Sequence, residues 1–301
     1  MPTIGDPTFD QLHLFLAVVE TGSFAAAGRR LGRATSVVSY GIANLESQLG
    51  LVLFERAGTR RPQLTAAGKA VLAEARSVAE GIDGLKARVL GLRRGLEAEV
   101  ALAVDVMLPA ARLADVLKTF GSAFPTVALR LHVEALGAVA ALVLGRTAGL
   151  GISGPLAAEA PELERRSIGS IRLIPVAAPS HPLASDQALA PGAARDHVQL
   201  VLSDRSSFTQ GRDFGVVSAR TWRLADLGAK HALLREGLGW GNMPLPMVAD
   251  DLAAGRLVAL ALPDYPGEDY RFDAVWRRDA PPGPAAQWLL DRFAACPDFS
   301  I

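Results

Sequence analysis

Between residues 23 and 61 this 301-residue chain gathers hydroxyl, phenol and guanidinium groups at spacings suited to reading a nucleic acid. Ser36, Ser39 and Tyr40 stand three and four residues apart, on one side of any helix that carries them, with Arg33 and Thr35 just ahead. Such groups exchange hydrogen bonds with base edges, and a tyrosine ring packs on a thymine methyl. Arg56, Arg60 and Arg61 follow in a stretch, Leu53 to Thr65, that alternates apolar and polar residues around Gly58. A two-stranded wing of this kind would set guanidiniums beside phosphates, giving affinity and registration rather than sequence readout. From Ser23 to Arg76 there are eight basic residues (Arg29, Arg30, Arg33, Arg56, Arg60, Arg61, Lys69, Arg76) against three acidic ones (Glu46, Glu55, Glu74), a local +5. The whole chain carries a formal net charge of 0. A basic module on a neutral chain is the pattern of a DNA-binding head joined to a separate sensing part.

These groups need a frame. Phe9, Leu12, Phe15, Leu16 and Val19 recur at helical spacing, with Thr8 available as N-cap. Gly22 ends that helix and Ser23 caps the next, which runs from Phe24 to about Leu31 with close-packing Ala25, Ala26 and Ala27. Gly32 supplies the break. A third helix begins at Thr35 or Ser36 and runs to Leu49, closed by Gly50, with Val38, Ile42, Leu45 and Leu49 as its apolar face. The N-terminal residues of such a second helix-turn-helix element reach base edges. Gly41 in its interior costs about 1 kcal/mol relative to Ala. It either allows closer approach to DNA or relieves packing, and the two readings stand level.

Residues 65 to 95 continue as one long helix, with Val71, Leu72, Ala75, Val78, Ala79, Ile82, Leu85, Val89 and Leu92 as an apolar stripe. About thirty helical residues span roughly 45 Å. A stripe of that length pairs with a copy of itself, so a homodimer or homotetramer is expected. The alternative is a core helix of the following domain.

From residue 96 to 301 strands and helices alternate, which argues an α/β domain with a mainly parallel sheet. The chain leaves a first lobe (about 96–168 and 268–301) for a second (about 169–267) and returns, so a cleft lies between lobes at the carboxyl ends of their strands. Loop ends there nominate Met107, Leu108, Gly137, Ser153, Ser203, Ser206, Phe208, Gly239, Trp240 and Met243 as ligand contacts. Hydroxyls beside apolar walls suit a small effector with a ring or short chain and a polar head. Asp204 and Arg205 read as a surface pair.

Catalysis finds little support. Gly237, Gly239 and Gly241 follow a helix rather than a strand, so a dinucleotide fingerprint fails. His13, His132, His181, His197 and His231 are dispersed, and no cofactor or metal is expected. Cys296 is the one cysteine, which excludes a disulfide framework within one chain. The first ten residues do not read as a signal peptide. The longest apolar run, Ala135 to Gly145, is too short for a membrane span. A soluble, cytoplasmic protein with no membrane partner is expected.

Six short segments in order resemble the LysR-type transcriptional regulators: Gly22-Ser23-Phe24, Leu31, Asn44-Leu45-Glu46, Leu49-Gly50, Leu53-Phe54-Glu55-Arg56, and Leu64-Thr65-Ala66-Ala67-Gly68. Farther on, Ser180-His181-Pro182-Leu183 and the stretch Gly237 to Pro244 are similar to that family's effector-binding domain. The resemblance implies an all-α winged helix-turn-helix N-terminal domain (1–64), a long linker helix forming a dimer coiled coil (65–95), and an α/β two-lobed periplasmic-binding-protein-like effector domain (96–301). It implies double-stranded DNA with an inverted-repeat promoter site as partner, a small-molecule effector, and RNA polymerase as a further contact. Ala34-Thr35 stand where the family has Ser-Gln, and Tyr40-Gly41 where it has a basic residue and Gln. Those departures keep one alternative in view: a small-molecule sensor or carrier whose N-terminal module binds a protein partner.

Overall fold

The computed structural model describes residues 5–55, 61–185, 189–204 and 206–295, and the chain divides into two compact units, residues 1–90 and 91–301. The first unit opens with α1 (Phe9–Thr21), α2 (Phe24–Leu31) and α3 (Thr35–Leu49). Thr8 and Gln11 form a reciprocal capping box on α1, and Ser23 Oγ accepts the Ala26 N–H of α2 at 3.1 Å. Gly22, Gly32 and Gly50 close the three helices at left-handed φ, a conformation costly for any residue with a Cβ. Phe15, Leu16, Val18, Val38, Ile42, Leu45, Leu53 and Phe54 form the core, and Phe54 meets Phe15 and Phe24 edge-on.

The long helix α4 (Ala66–Arg93) does not stand apart as a third body. Its first four turns bury Ala75 and pack Val71, Leu72 and Ala79 on the three-helix core, so residues 66–90 belong to the first unit. Beyond Ala75 the stripe is exposed at Val78, Leu85, Val89 and Leu92. The series 78, 82, 85, 89, 92 alternates steps of four and three, the spacing of a coiled-coil seam.

The second unit is built on one mixed nine-stranded sheet, in the order β2-β1-β3-β9-β4-β7-β5-β6 with β8 beside β4. Its strands are β1 (Glu99–Asp105), β2 (Ala128–Glu134), β3 (Leu150–Ser153), β4 (Leu163–Ala177), β5 (Gln199–Leu202), β6 (Thr221–Leu224), β7 (Trp240–Pro244), β8 (Val258–Ala259) and β9 (Glu268–Arg277). The intervening helices are α5 (Ala110–Ala123), α6 (Ala138–Leu144), α7 (Leu227–Arg235), α8 (Leu245–Ala253) and α9 (Pro284–Ala294).

The expectation of a mainly parallel sheet is corrected here. β1 runs parallel to β2 and β3, and β5 parallel to β6 and β7, but every pairing of β4 and β9 is antiparallel. The two connections between lobes are themselves these long paired strands, and two chain segments that cross in opposite senses must pair antiparallel. β4 starts at Leu163, six residues before the expected start of the second lobe near 169; its leading half, Leu163 to Ser170, carries Glu164, Arg165, Arg166 and Ser167 and lacks an apolar run.

Candidate functional site

In the first unit, α3 presents two faces. Val38, Ile42 and Leu45 are buried, while Thr35, Ser36, Ser39 and Tyr40 are exposed, Tyr40 at 70%. Ala34 offers no side-chain cap, so the N–H groups of the first turn face outward with the positive end of the helix dipole. Arg33 is exposed beside this turn and pairs with Asp10 at 2.7 Å, which raises its pKa further. Ser23 is occupied as the α2 cap. Its hydroxyl therefore sets where α2 begins.

The frame around this face explains the motifs. Glu46 Oε1 accepts the N–H groups of Leu53 (2.6 Å) and Phe54 (3.2 Å), fixing the wing to α3. The wing itself closes through a bridge between Phe54 and Leu64 and a Glu55 N–H to Gln63 O bond of 2.8 Å. Thr65 Oγ1 donates to Val52 O (2.7 Å) and accepts from Gly68 N (2.9 Å), and a Cβ at Gly68 would overlap the Leu53 carbonyl. Gly41 faces inward: a Cβ there would overlap Leu14 Cδ1, so relief of packing explains the glycine. Arg61 is exposed on the wing; Arg56 and Arg60 lie outside the described residues.

The second unit holds a cleft lined by residues of β5 and β9, with Asn242 of β7 at its inner end. An open chamber of about 790 Å³ is lined by Leu136, Ser203, Asp204, Ser206, Thr209 and Phe214, among others. A side chamber of about 390 Å³ lies by Leu156, Glu159, Arg212 and Tyr270. The innermost cavity, about 50 Å³, is lined by Met107, Leu136, Lys230, Asn242, Glu268 and Tyr270 with neighbouring backbone. The structure thus brings Met107, Ser203 and Ser206 to the cleft. Gly137 lies beneath the 204–209 turn, where a Cβ would come within 2.6 Å of Ser206 Oγ and Phe208 Cβ. Phe208 packs on the Val139–Val143 cluster.

Other expected contacts are elsewhere. Gly239, Trp240 and Met243 were placed at a loop end, but Trp240–Pro244 is strand β7, whose side chains alternate. Trp240 is fully buried, donating its indole N–H to Ser218 Oγ at 3.0 Å, and Met243 is fully buried in the main core. Gly239 packs against the Val198 carbonyl at φ +150°. Leu108 is in the core, and Ser153 is fully buried with an unpartnered hydroxyl. Asp204 accepts hydrogen bonds from Ser206 (2.8 Å) and Thr209, and Arg205, its expected surface partner, lies outside the described residues.

Two polar residues of the cleft, Lys230 and Tyr270, were missed, and with them the buried Asp105 that Tyr270 bonds. Asp105, at the end of β1, is 1% exposed and accepts from Met107 N (2.9 Å) and the Tyr270 hydroxyl (2.7 Å). Burial pushes its pKa up to about 6, against those hydrogen bonds, and the Tyr270 phenol is pushed well above its ordinary value by the same burial. A Cβ at Gly154 would overlap the Tyr270 hydroxyl. Lys230 of α7 is 3% exposed, and burial pulls its pKa down to about 7. One signal was legible: Leu227, Lys230 and Leu234 share a helical face.

Comparison with known proteins settles the family. A model of the LysR substrate binding domain matches residues 93–296, and one of the bacterial regulatory helix-turn-helix protein, lysR family, matches residues 9–69. The chain belongs to the LysR family. The regulator AceR of Acinetobacter baumannii is 31% identical over 288 residues, covering 94% of this chain and 95% of that protein. The probable regulator YhaJ of Escherichia coli K12 is 27% identical over 291 residues, covering 94% of each. A full-length AphB variant shares the fold at TM-score 0.52 and 21% identity, covering 95% of this chain and 98% of that one; a Corynebacterium glutamicum OxyR mutant does so at 0.52 and 21%, covering 96% and 94%. This LysR-family chain is a DNA-binding transcriptional regulator with an effector-binding domain. Nothing in the comparisons supports a protein partner in place of DNA. Among the described residues no helix is long and apolar enough to cross a membrane.

Proposed function

We propose that two or more copies of this regulator, paired through the exposed α4 stripe, hold an inverted-repeat DNA site with their α3 helices in successive major grooves. Thr35, Ser36, Ser39 and Tyr40 read base edges. Arg33 exchanges Asp10 for a phosphate, and Arg56, Arg60 and Arg61 of the wing hold the backbone. Ser23 acts through the α2 cap. The polar, exposed N-terminal half of α3, set on a helix whose opposite face is locked in the core, is the observation that carries this reading. A small molecule in the cleft, touching Met107, Leu136, Ser203 and Ser206, changes lobe closure, and with it the geometry of the paired DNA-binding modules and the recruitment or exclusion of RNA polymerase in the cytoplasm. A gel shift with the gene's own upstream DNA tests it. Ser36→Ala and Tyr40→Ala are expected to alter sequence preference, and Arg61→Ala to weaken binding uniformly while lowering the salt slope by about 1. A folded dimer that fails to bind at low salt would overturn the reading.

A further inference from the structure

The inner end of the cleft differs in chemistry from the chambers outside it. Lys230 Nζ donates to the Asn242 main-chain oxygen at 2.7 Å, and no described carboxylate pairs with it. Two of its three N–H groups have no described protein partner. The stem is accommodated by Gly241, whose Cβ would stand 3.1 Å from Lys230 Cε. Beside it, Asn242 Nδ2 donates to Gly215 O at 3.3 Å, but Asn242 Oδ1 is buried and accepts no hydrogen bond. The neighbouring Gln199 is spent on structure: its amide donates to Gly215 O and its oxygen accepts from Val217 N and Ser218 N. The buried wall of this cavity therefore offers two groups with spare capacity, a cation lacking a counter-ion and an acceptor lacking a donor. Each is unfavourable when left unpaired. Both residues line the 50 Å³ cavity.

We propose that Lys230 and Asn242 form a head-group subsite for a small organic acid that carries a hydroxyl or amino group on the carbon next to its carboxylate. The carboxylate takes the two free N–H groups of Lys230, and the neighbouring donor bonds to Asn242 Oδ1. The inference rests on the cleft being the effector site, as proposed above. Size fits: one water-sized sphere needs about 10–15 Å³, so the cavity holds a carboxylate and one substituent and little else. The remainder of the molecule extends past Leu136, Val201, Leu202 and Phe214, which the inner cavity shares with the 790 Å³ chamber. Glu268, which accepts the Tyr265 hydroxyl at 2.7 Å, also lines the inner cavity on the Asn242 side, where its carboxylate favours the hydroxyl or amino donor and disfavours a second acid group. Burial already draws the lysine towards its neutral form, and a bound carboxylate reverses that by supplying the missing counter-charge.

The rival role for Lys230 is a brace holding α7 to β7 through the Asn242 carbonyl. The full-length protein separates the two by calorimetry and thermal unfolding with defined probes: glycolate, lactate, mandelate, glycine and phenylglycine, their methyl esters, and acetate and phenylacetate as acids without the neighbouring donor. Acids with the donor are expected to bind most tightly and raise the melting temperature, and the esters to fail. Lys230→Met should cost those acids about ten- to a hundredfold in affinity. The ligand-free variant should melt no lower than wild type, because a desolvated amine has been replaced by an apolar side chain of similar length. Asn242→Ala should erase only the advantage over acetate and phenylacetate. The proposal is overturned if no acid binds, if acids bind Lys230→Met as tightly as wild type, or if that variant melts lower, which would make the lysine a brace. Gel shifts on the same samples keep the outcomes apart: intact DNA binding with no acid binding sinks this subsite alone, whereas lost DNA binding by wild type sinks the regulator reading.

Discussion

Asp105→Asn tests the electrostatics behind the cleft, at the buried end of β1, most directly. The carboxyl is buried and its pKa stands at about 6 against an ordinary 3.8. A raised folded-state value means the stabilising contribution is complete below the unfolded value and is lost as pH rises through the folded one. At pH 7.5 the ionised carboxylate therefore costs the fold about 3 kcal/mol relative to its protonated form, from 2.2 units at about 1.36 kcal/mol each. At pH 5 the folded-state group is mostly protonated while the unfolded one is mostly ionised, and the same linkage leaves a cost of about 1.6 kcal/mol. The difference in stability between wild type and Asp105→Asn must then move by about 1.4 kcal/mol in favour of wild type between pH 7.5 and pH 5. All other titrations are common to both proteins and cancel. Any fixed cost of refitting the amide to Met107 N and the Tyr270 hydroxyl cancels too, because it does not titrate. Urea unfolding of both proteins at the two pH values measures the shift. In melting temperature it amounts to roughly 3–5 °C for a unit of this size. A difference that stays constant within about 0.5 kcal/mol, or moves the other way, would refute the argument that burial dominates at Asp105.

Two further predictions concern the first unit. Gly41→Ala improves helix propensity by about 1 kcal/mol yet should destabilise the unit by a net ~0–2 kcal/mol in thermal unfolding, because the new methyl overlaps Leu14 Cδ1; a stabilised variant would show that the inward packing is slack. Leu85→Lys places a charge at a position 61% exposed, on the 78–92 seam, so it should leave the melting of the three-helix core unchanged while shifting sedimentation from the assembled species to the monomer.

The N-terminal module was legible because its signals are local. Glycines at left-handed closures, a Ser cap three residues from the N–H it accepts, and apolar residues at helical spacing each act within a few residues, so α1, α2 and α3 fall where the pattern puts them. The family motifs are equally local in the chain, and even their departures at Ala34, Thr35, Tyr40 and Gly41 are visible there. What the pattern left open at Gly41 needed a distant residue, Leu14, to decide. The cleft is the reverse case. Its strands were mostly recognisable, but the residues facing it depend on register and sheet order, which couple segments far apart. Trp240 and Met243 are apolar and sit near Gly-rich sequence, so they looked like ligand walls, until β7 paired with β4 and β5 and turned both into the core. Asn242, one residue from Met243, faces the cavity instead. Lys230 and Asp105 look unremarkable among 31 basic and 31 acidic residues. Only the packing of α7 on β7 and of β9 beside β3 removes water from them. The sequence by itself determined a basic winged head, a helical stem and a two-lobed α/β body, since those follow from short-range periodicity. Tertiary structure alone decided which polar groups lose their solvent inside the cleft, because desolvation belongs to the assembled neighbours of a residue and not to its place in the chain.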